Sequence, residues 1–132
     1  MWVPKGALGD LRKVESNMKP TDRWNTIDDW YHDEGVLVMG YEMFRALVHN
    51  KKTAVQEEAP IDEAQHTQLK MQITEGPNII IADEAHKMKN AASAITAAAS
   101  LFKSRCRIAL TGSPLANNVT EYHTMVRIFL DV

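Results

Sequence analysis

"NIIIADEAHKMKN", residues Asn78 to Asn90, is the stretch of sequence from which the fold is most directly derived. A short run of β-branched residues stops at two adjacent carboxylates, Asp83 and Glu84, and His86 follows. An apolar run of this length without alternation predicts a strand buried on both faces, as in a parallel sheet covered by helices. Ligands bind beyond the carboxyl ends of strands in open α/β sheets, so Asp83 and Glu84 are candidate ligand-binding residues.

Two further runs are strand-like, and helical patterns lie between the runs. The strand-like runs are "VLVMGY" (Val36 to Tyr41) and "CRIAL" (Cys106 to Leu110). Apolar residues at helical spacing predict helices within the segments Trp24 to Tyr31, Ile61 to Thr74, Ile95 to Phe102 and Leu115 to Phe129. Strands that alternate with helices favour βαβ units, and hence an α/β layered domain with a mainly parallel sheet.

The composition excludes a disordered tail and a membrane protein. The 132 residues suit one domain or part of one, and 45% hydrophobic with 24% charged residues is ordinary globular composition. The net charge of −2 gives no overall electrostatic attraction to nucleic acid. The single Cys106 excludes an internal disulfide and a cysteine-based zinc site, and the N-terminus has no signal-peptide pattern.

Two carboxylates at the end of a strand suit a nucleotide–magnesium site. Mg²⁺ takes oxygen ligands, so one carboxylate can hold the ion while its neighbour orients a water for attack on a γ-phosphate. The alternative interpretation is a solvated acidic turn at the start of the next helix, where the helix dipole favours Asp and Glu. The tetrapeptide D-E-A-H alone supports both interpretations equally.

A second strand end favours the functional interpretation. "CRIAL" ends in "TGSPLANN" (Thr111 to Asn118), so Thr111 and Ser113 bring hydroxyl groups to the same edge of the sheet as Asp83 and Glu84. Thr, Gly, Ser and Pro also make ordinary turns and helix N-caps. That explanation accounts for the residue types, but not for two such strand ends in one short chain.

The order of these motifs resembles a known family. "DEAHKMKN" followed by "ALTGSPLANN" is similar to motifs II and III of superfamily 2 helicase-like ATPases, and in particular of the SWI/SNF-type chromatin remodellers and DNA translocases. The upstream "GYEMFR" (Gly40 to Arg45) resembles the ATRX-like branch of that group. The resemblance runs from roughly Trp24 to the C-terminus, with several motifs in the family's order.

The resemblance implies a fold and a set of site residues. The fold is a partial RecA-like, three-layer α/β domain of the P-loop NTPase type over residues 1–132, and the cofactors are ATP and Mg²⁺. Asp83 would coordinate Mg²⁺, Glu84 would polarise the hydrolytic water, and both would lie at the nucleotide. His86 would link the nucleotide site to motif III.

The resemblance also implies partners. Thr111 and Ser113 would lie at the nucleotide site and help to couple ATP hydrolysis to movement along double-stranded DNA, in chromatin and hence in the nucleus. One position departs from the family pattern, because Ala116 stands where the family usually has Gln. Asn117 is retained, so the departure puts one local polar contact in doubt and not the family assignment.

The glycine-rich loop that cradles nucleotide phosphates is missing from this sequence. No G-x-x-x-x-G-K-S/T motif occurs, and Gly6 to Lys13 has the wrong spacing and no preceding strand. In the family this loop precedes the matching segment, and a second RecA-like lobe completes the site. We therefore expect an interior piece of the first lobe that lacks the P-loop strand and has negligible ATPase activity alone.

Two other hypotheses stay open at the level of the sequence. A catalytically dead interaction module would keep the fold without the chemistry, and a P-loop motif in the genomic sequence upstream of Met1 would argue against it. A non-nucleotide hydrolase that uses the carboxylate pair is disfavoured, because nothing else in the chain supplies a nucleophile or a metal shell. The five histidines in particular show no metal-ligand spacing.

Absence of the P-loop strand would leave a neighbouring apolar strand with an unpaired edge, which promotes aggregation. We therefore predict that the isolated 132-residue chain is marginally stable or self-associates. Thermal unfolding, measured together with size-exclusion chromatography, checks this prediction. A monomer with a sharp, cooperative unfolding transition would contradict it.

Overall fold

The computed structural model describes residues 6–49, 62–88, 94–112, 123 and 126–127. It divides into two compact units, Met1–Ile73 and Thr74–Val132. Within the described residues, each unit contains one pair of parallel strands together with helices. No helix in this described part of the chain is long and apolar enough to cross a membrane.

The first unit is built around a parallel strand pair. Its elements are β1 (Leu11–Val14), α1 (Pro20–Asp33), β2 (Val36–Met39), α2 (Tyr41–His49) and α3 (Glu63–Glu75), which ends just past the boundary of the unit. The register of the pair runs from Leu11 opposite Val36 to Val14 opposite Met39. Parallel strands need a crossover connection, and α1 provides it.

The helix α1 forms because its ends and its apolar face are both well defined. Pro20 lies at the N-terminal end of the helix, where its missing N–H costs nothing. Ile27 and Trp30 are three residues apart, so they share one face, and both are buried. The other buried apolar residues of this unit lie on the strands and helices around α1: Val14, Phe44, Val48, Leu69 and Ile73.

Two glycines allow the segments that lead into β1 and β2 to approach each other closely. Gly35 has a φ of 107°, and a Cβ atom there would lie 2.5 Å from the carbonyl oxygen of Asp10. Gly9 has a φ of 74°, and a Cβ atom there would lie 2.9 Å from the Cα atom of Gly35. The close approach lets the Val36 N–H donate to the Asp10 carbonyl over 2.8 Å. This bond starts the ladder between β1 and β2.

Arg12 on β1 binds the C-terminal end of α1. Its guanidinium donates to the Asp33 carboxylate over 2.8 Å and to the Glu34 carbonyl over 3.3 Å. The last carbonyls of a helix lack intrahelical donors and carry partial negative charge, so a cation is favourable there. The Trp30 indole N–H donates to the Gly35 carbonyl, which holds the same turn from the core side.

The second unit contains the other parallel pair. Its elements are β3 (Ile79–Ala82), a short 3-10 helix (Ala85–Met88), α4 (Ala94–Ala99) and β4 (Cys106–Ala109). The register of β3 and β4 runs from Ile79 opposite Cys106 to Ala82 opposite Ala109. Arg107 shapes the entry into β4, because its guanidinium donates to the carbonyls of Phe102 and Ser104 over 2.6 and 2.7 Å.

The structure confirms the α/β class and the parallel pairing of strands that the sequence predicts. The strand-like runs contain β2, β3 and β4, and the helical patterns overlap α1, α3 and α4. The prediction that the run ending at Ala82 is buried on both faces is wrong, because Ile79 and Ile81 lie on one face of the sheet and are 57% and 62% exposed. The helix α4 is shorter than predicted, because Leu101 and Phe102 bond the carbonyls of Ala98 and Ala99 in a tight i→i−3 turn. The prediction of a three-layer domain built on a single, mainly parallel sheet stays a prediction.

One strand was not predicted, and one predicted helix lies almost entirely outside the described residues. The strand is β1, whose apolar pattern is interrupted by Arg12 and Lys13 and whose pairing with β2 is not a local property. The long amphipathic helix predicted within Leu115 to Phe129 lies almost entirely outside the described residues. Of that segment the structure describes residues 123 and 126–127, which are helical.

Gly35→Ala tests the close approach of the two strand entries. The added Cβ would collide with the Asp10 carbonyl, and alanine would be held at an unfavourable positive φ. We expect the free energy of unfolding in urea to fall by at least about 2 kcal/mol. Gly40→Ala is the matched control, because nothing lies within 4 Å of a Cβ there. A Gly35→Ala variant as stable as Gly40→Ala would contradict the described strand entry.

Candidate functional site

The ends of β3 and β4 meet at one edge of their sheet. The Leu110 N–H donates to the Ala82 carbonyl over 2.8 Å, and the Ala85 N–H donates back to the Leu110 carbonyl over 2.9 Å. The pairing therefore continues past the last paired residues, Ala82 and Ala109. The segment that carries Asp83 and Glu84 consequently lies beside residues 111–112, which follow β4.

A left-handed residue turns the chain at the end of β3. Glu84 has a φ of 51°, which is uncommon for a residue with a side chain and costs about 1–2 kcal/mol relative to glycine. The Asp83 carboxylate accepts a hydrogen bond from the Glu84 N–H over 2.9 Å. The next residue, Ala85, is completely buried, which fixes the direction of the chain after the turn. Both carboxylates are exposed as a result. Local strain of this kind concentrates at functional sites.

His86 connects the two strand-end segments. Its Nδ1 atom lies 3.0 Å from the Glu84 Oε2 atom and 3.2 Å from the Thr111 Oγ1 atom. The side chain of His86 is one-third exposed and that of Glu84 is about half exposed, at 33% and 55%. The contact is therefore accessible to water and to a ligand at the sheet edge. The site is a carboxylate pair, an imidazole and a hydroxyl on two adjoining strand ends.

The side chains at this edge suit a metal ion that is bound together with a substrate phosphate better than one that is bound by protein ligands alone. The part of the chain that the structure describes contains no group of three or more His, Cys, Asp or Glu residues arranged to hold a metal ion. Mg²⁺ commonly keeps several waters and is bound by one or two carboxylates together with substrate phosphates. The exposed Asp83 carboxylate offers the hard oxygen that such a site needs.

The structure thus brings together four of the five site residues predicted from the sequence: Asp83, Glu84, His86 and Thr111. Ser113 lies outside the described residues, so its predicted place at this edge stays a prediction. The direct contact between Glu84 and His86 was not predicted. Residues two apart do not face each other in a regular helix, and no sequence signal marks Glu84 as left-handed.

The first unit contains a concavity that offers fewer reactive groups. A cavity of about 240 Å³ is lined by Thr21, Trp24, Asn25 and Gln65. The Trp24 indole nitrogen is buried without a hydrogen-bond partner. None of the described lining residues has an ionisable side chain, so they lack the acid–base and metal-binding groups that the ends of β3 and β4 present.

Comparisons with known proteins converge on one family. The model of the SNF2-related domain matches residues 2–131. "Transcriptional regulator ATRX" of Mus musculus is 39% identical over 124 residues, which cover 90% of this chain and 5% of the relative. "Transcriptional regulator ATRX homolog" of Drosophila melanogaster is 34% identical over 110 residues, which cover 83% of this chain and 8% of the relative.

A relative with a different name gives the same result. "Helicase ARIP4" of Xenopus tropicalis is 36% identical over 121 residues, which cover 79% of this chain and 9% of the relative. The chain thus spans less than a tenth of the length of each of these three relatives.

Glu84→Gly tests the left-handed turn. Glu84→Ala is the matched control, because both variants lose the carboxylate and its contact with His86, and only glycine relieves the backbone cost of the positive φ. That relief is about 1–2 kcal/mol, against an added entropic cost of about 0.5–1 kcal/mol. We expect the free energy of unfolding of Glu84→Gly to match or exceed that of Glu84→Ala. A Glu84→Gly variant less stable than Glu84→Ala would contradict the described turn.

Proposed function

The chain belongs to the SNF2-related domain family, and we propose that it forms part of the first RecA-like lobe of an ATP-dependent DNA translocase or chromatin remodeller. The observation that carries this proposal is the meeting of two strand ends, one with Asp83 and Glu84 and the other with Thr111. His86 contacts both ends. A lone acidic turn explains the carboxylates, but it does not explain their link through an imidazole to a second strand end.

The fold in this proposal is a three-layer RecA-like domain with a mainly parallel sheet. Residues 1–132 make up part of it, without the strand that leads into the phosphate loop. The two parallel strand pairs and their helices support the proposal. The match of the family model to residues 2–131 supports a single domain assignment across the chain.

Asp83 and Glu84 take different roles in the proposed chemistry. Asp83 presents its carboxylate to Mg²⁺, which prefers oxygen ligands. Glu84 would accept a hydrogen bond from a water and orient that water for attack on the phosphate. When bound, Mg²⁺–ATP supplies the γ-phosphoryl group that is transferred to this water. The exposure of both carboxylates at the sheet edge supports these roles.

His86, Thr111 and Ser113 are proposed to connect the nucleotide site to the rest of the enzyme. His86 spans the gap between the ends of β3 and β4, which supports a linking role. Thr111 and Ser113 belong to the segment after β4, and a change in that segment would pass on the state of the nucleotide to the DNA-binding surface. Ser113 is included because of its position two residues after Thr111.

Double-stranded DNA in chromatin is the proposed partner, and the nucleus the proposed location. The relatives named transcriptional regulators and a helicase support both statements. The net charge of −2 means that DNA binding must depend on local groups or on other parts of a larger protein. A chain that spans less than a tenth of each relative is consistent with such a larger protein.

The 132 residues by themselves are proposed to be inactive. They contain no G-x-x-x-x-G-K-S/T motif, so no backbone cradle for the phosphates accompanies the carboxylates. Asp83 and Glu84 then lack the phosphate that they would act on. ATP hydrolysis requires that a phosphate loop and a second lobe join this part of the domain.

A chimeric protein tests the proposal. This chain replaces the matching segment of the Xenopus tropicalis helicase, whose own ATP hydrolysis is measured first as the positive control. We expect the chimera to hydrolyse ATP, and Glu84→Gln to lower its kcat by about 10²–10⁴-fold through loss of the water-orienting carboxylate. The isolated 132-residue chain, assayed in parallel, is expected to show no hydrolysis. A folded chimera no more active than its Glu84→Gln variant would favour the dead interaction module.

A further inference from the structure

The turn between α1 and β2 places a glutamate in a backbone conformation that normally belongs to glycine. Glu34 has a φ of 64° and a ψ of −169°, a combination in which residues other than glycine are essentially absent. Gly35 follows with a φ of 107°, so two consecutive residues have a positive φ. Such a backbone is strained, and it persists only where the surrounding structure fixes it.

The side chain of Glu34 does not fix this conformation. It is exposed, and none of the hydrogen bonds and ion pairs among the described residues involves it. Glycine at this position would therefore remove the strain without removing a side-chain contact. The strained turn must be held by groups outside Glu34 itself.

Arg12 on β1 is the group that holds the turn directly. Its guanidinium donates to the Glu34 carbonyl over 3.3 Å and to the Asp33 carboxylate over 2.8 Å. A planar guanidinium has several donors in a fixed arrangement, so it can bind a carbonyl and a carboxylate at the same time. The side chain of Arg12 is 17% exposed and that of Asp33 is 63% exposed, so the contact opens toward solvent.

Two further hydrogen bonds depend on where the turn places the residues after Glu34. The Trp30 indole N–H donates to the Gly35 carbonyl over 3.2 Å, and the Val36 N–H donates to the Asp10 carbonyl over 2.8 Å. A change of φ at Glu34 to an ordinary value would move both the Gly35 carbonyl and the Val36 N–H, because they follow it directly in the chain. These two bonds therefore report the conformation of the turn.

We propose that residues 33–35 form a conformational device with two positions: Arg12 holds Glu34 in the strained position, and withdrawal of its guanidinium lets the turn relax. In the strained position, the Val36 N–H starts the ladder between β1 and β2. In the relaxed position, that bond and the bond from the Trp30 indole open. The strain at Glu34 sets the balance between the two positions. The device uses no residue of the candidate site, so its test is independent of the proposed function.

Amide hydrogen exchange of the 132-residue chain tests the strain. Glu34→Gly and Glu34→Ala remove the same carboxylate, but only glycine removes the strain. Rates for the Val36 amide are taken relative to the Phe44 amide, which donates to the Gly40 carbonyl at the start of α2, so that a change in global stability cancels. We expect the relative rate to be at least about threefold lower in Glu34→Gly than in Glu34→Ala. Equal relative rates would overturn the proposal.

Arg12→Gln tests the role of the guanidinium, in the parent chain and in Glu34→Gly. We expect the relative exchange rate of Val36 to rise at least about tenfold in the parent and less than about threefold in Glu34→Gly, because glycine adopts this conformation without support. The ¹H–¹⁵N signal of the Trp30 indole is expected to move in the parent alone.

The remaining outcomes of the Arg12→Gln experiment also decide the question. If Arg12→Gln unfolds the parent but not Glu34→Gly, the proposal is supported, because the loss of Arg12 is then tolerated once the strain is removed. Equal acceleration in both chains, acceleration in neither, or unfolding of both would overturn it. Arg12 would in those cases act independently of the backbone conformation of Glu34.

Discussion

The parallel pairing of β3 with β4 is the interaction on which the candidate site depends. Each strand is four residues long, and the bonds from Leu110 to Ala82 and from Ala85 to Leu110 extend the pairing into the site. The sheet side-chain period is two, so a slip of one residue would turn the side chains of a strand to the opposite face. The register therefore decides whether the carboxylates and Thr111 lie together.

The sheet edge presents its chemistry at a conformational cost. Glu84 adopts a left-handed backbone conformation, and Ala85 is buried immediately after it. These two constraints turn the chain within one residue and leave Asp83 and Glu84 exposed. A regular helix that started directly at the strand end would not bring the side chains of Glu84 and His86 together. The left-handed turn thus brings the Glu84 carboxylate to the imidazole of His86 at the edge of the sheet.

Much of the fold could be predicted from the sequence, because it depends on local pattern. The runs "NIIIA" and "CRIAL" are short and largely apolar, so β3 and β4 could be predicted as parallel strands. Their burial on both faces was predicted wrongly, because the face that carries Ile79 and Ile81 is exposed. The same reasoning placed Asp83, Glu84 and Thr111 at one edge. The contact between Glu84 and His86 could not be predicted, because it depends on a left-handed φ that glutamate does not favour. The strand β1 was missed because its pairing with β2 outweighs two charged residues in its own sequence.

Amide hydrogen exchange of Leu110 and Ala85 tests the central claim most directly, because the N–H groups of these two residues make the bonds that join the strand ends. The reference is the amide of Gly112, an exposed residue just beyond β4. If the strands pair as described, both amides exchange at least about tenfold more slowly than expected for an unprotected chain, while Gly112 does not. Exchange of Leu110 and Ala85 as fast as that of Gly112 would mean that Asp83, Glu84 and Thr111 are not held together.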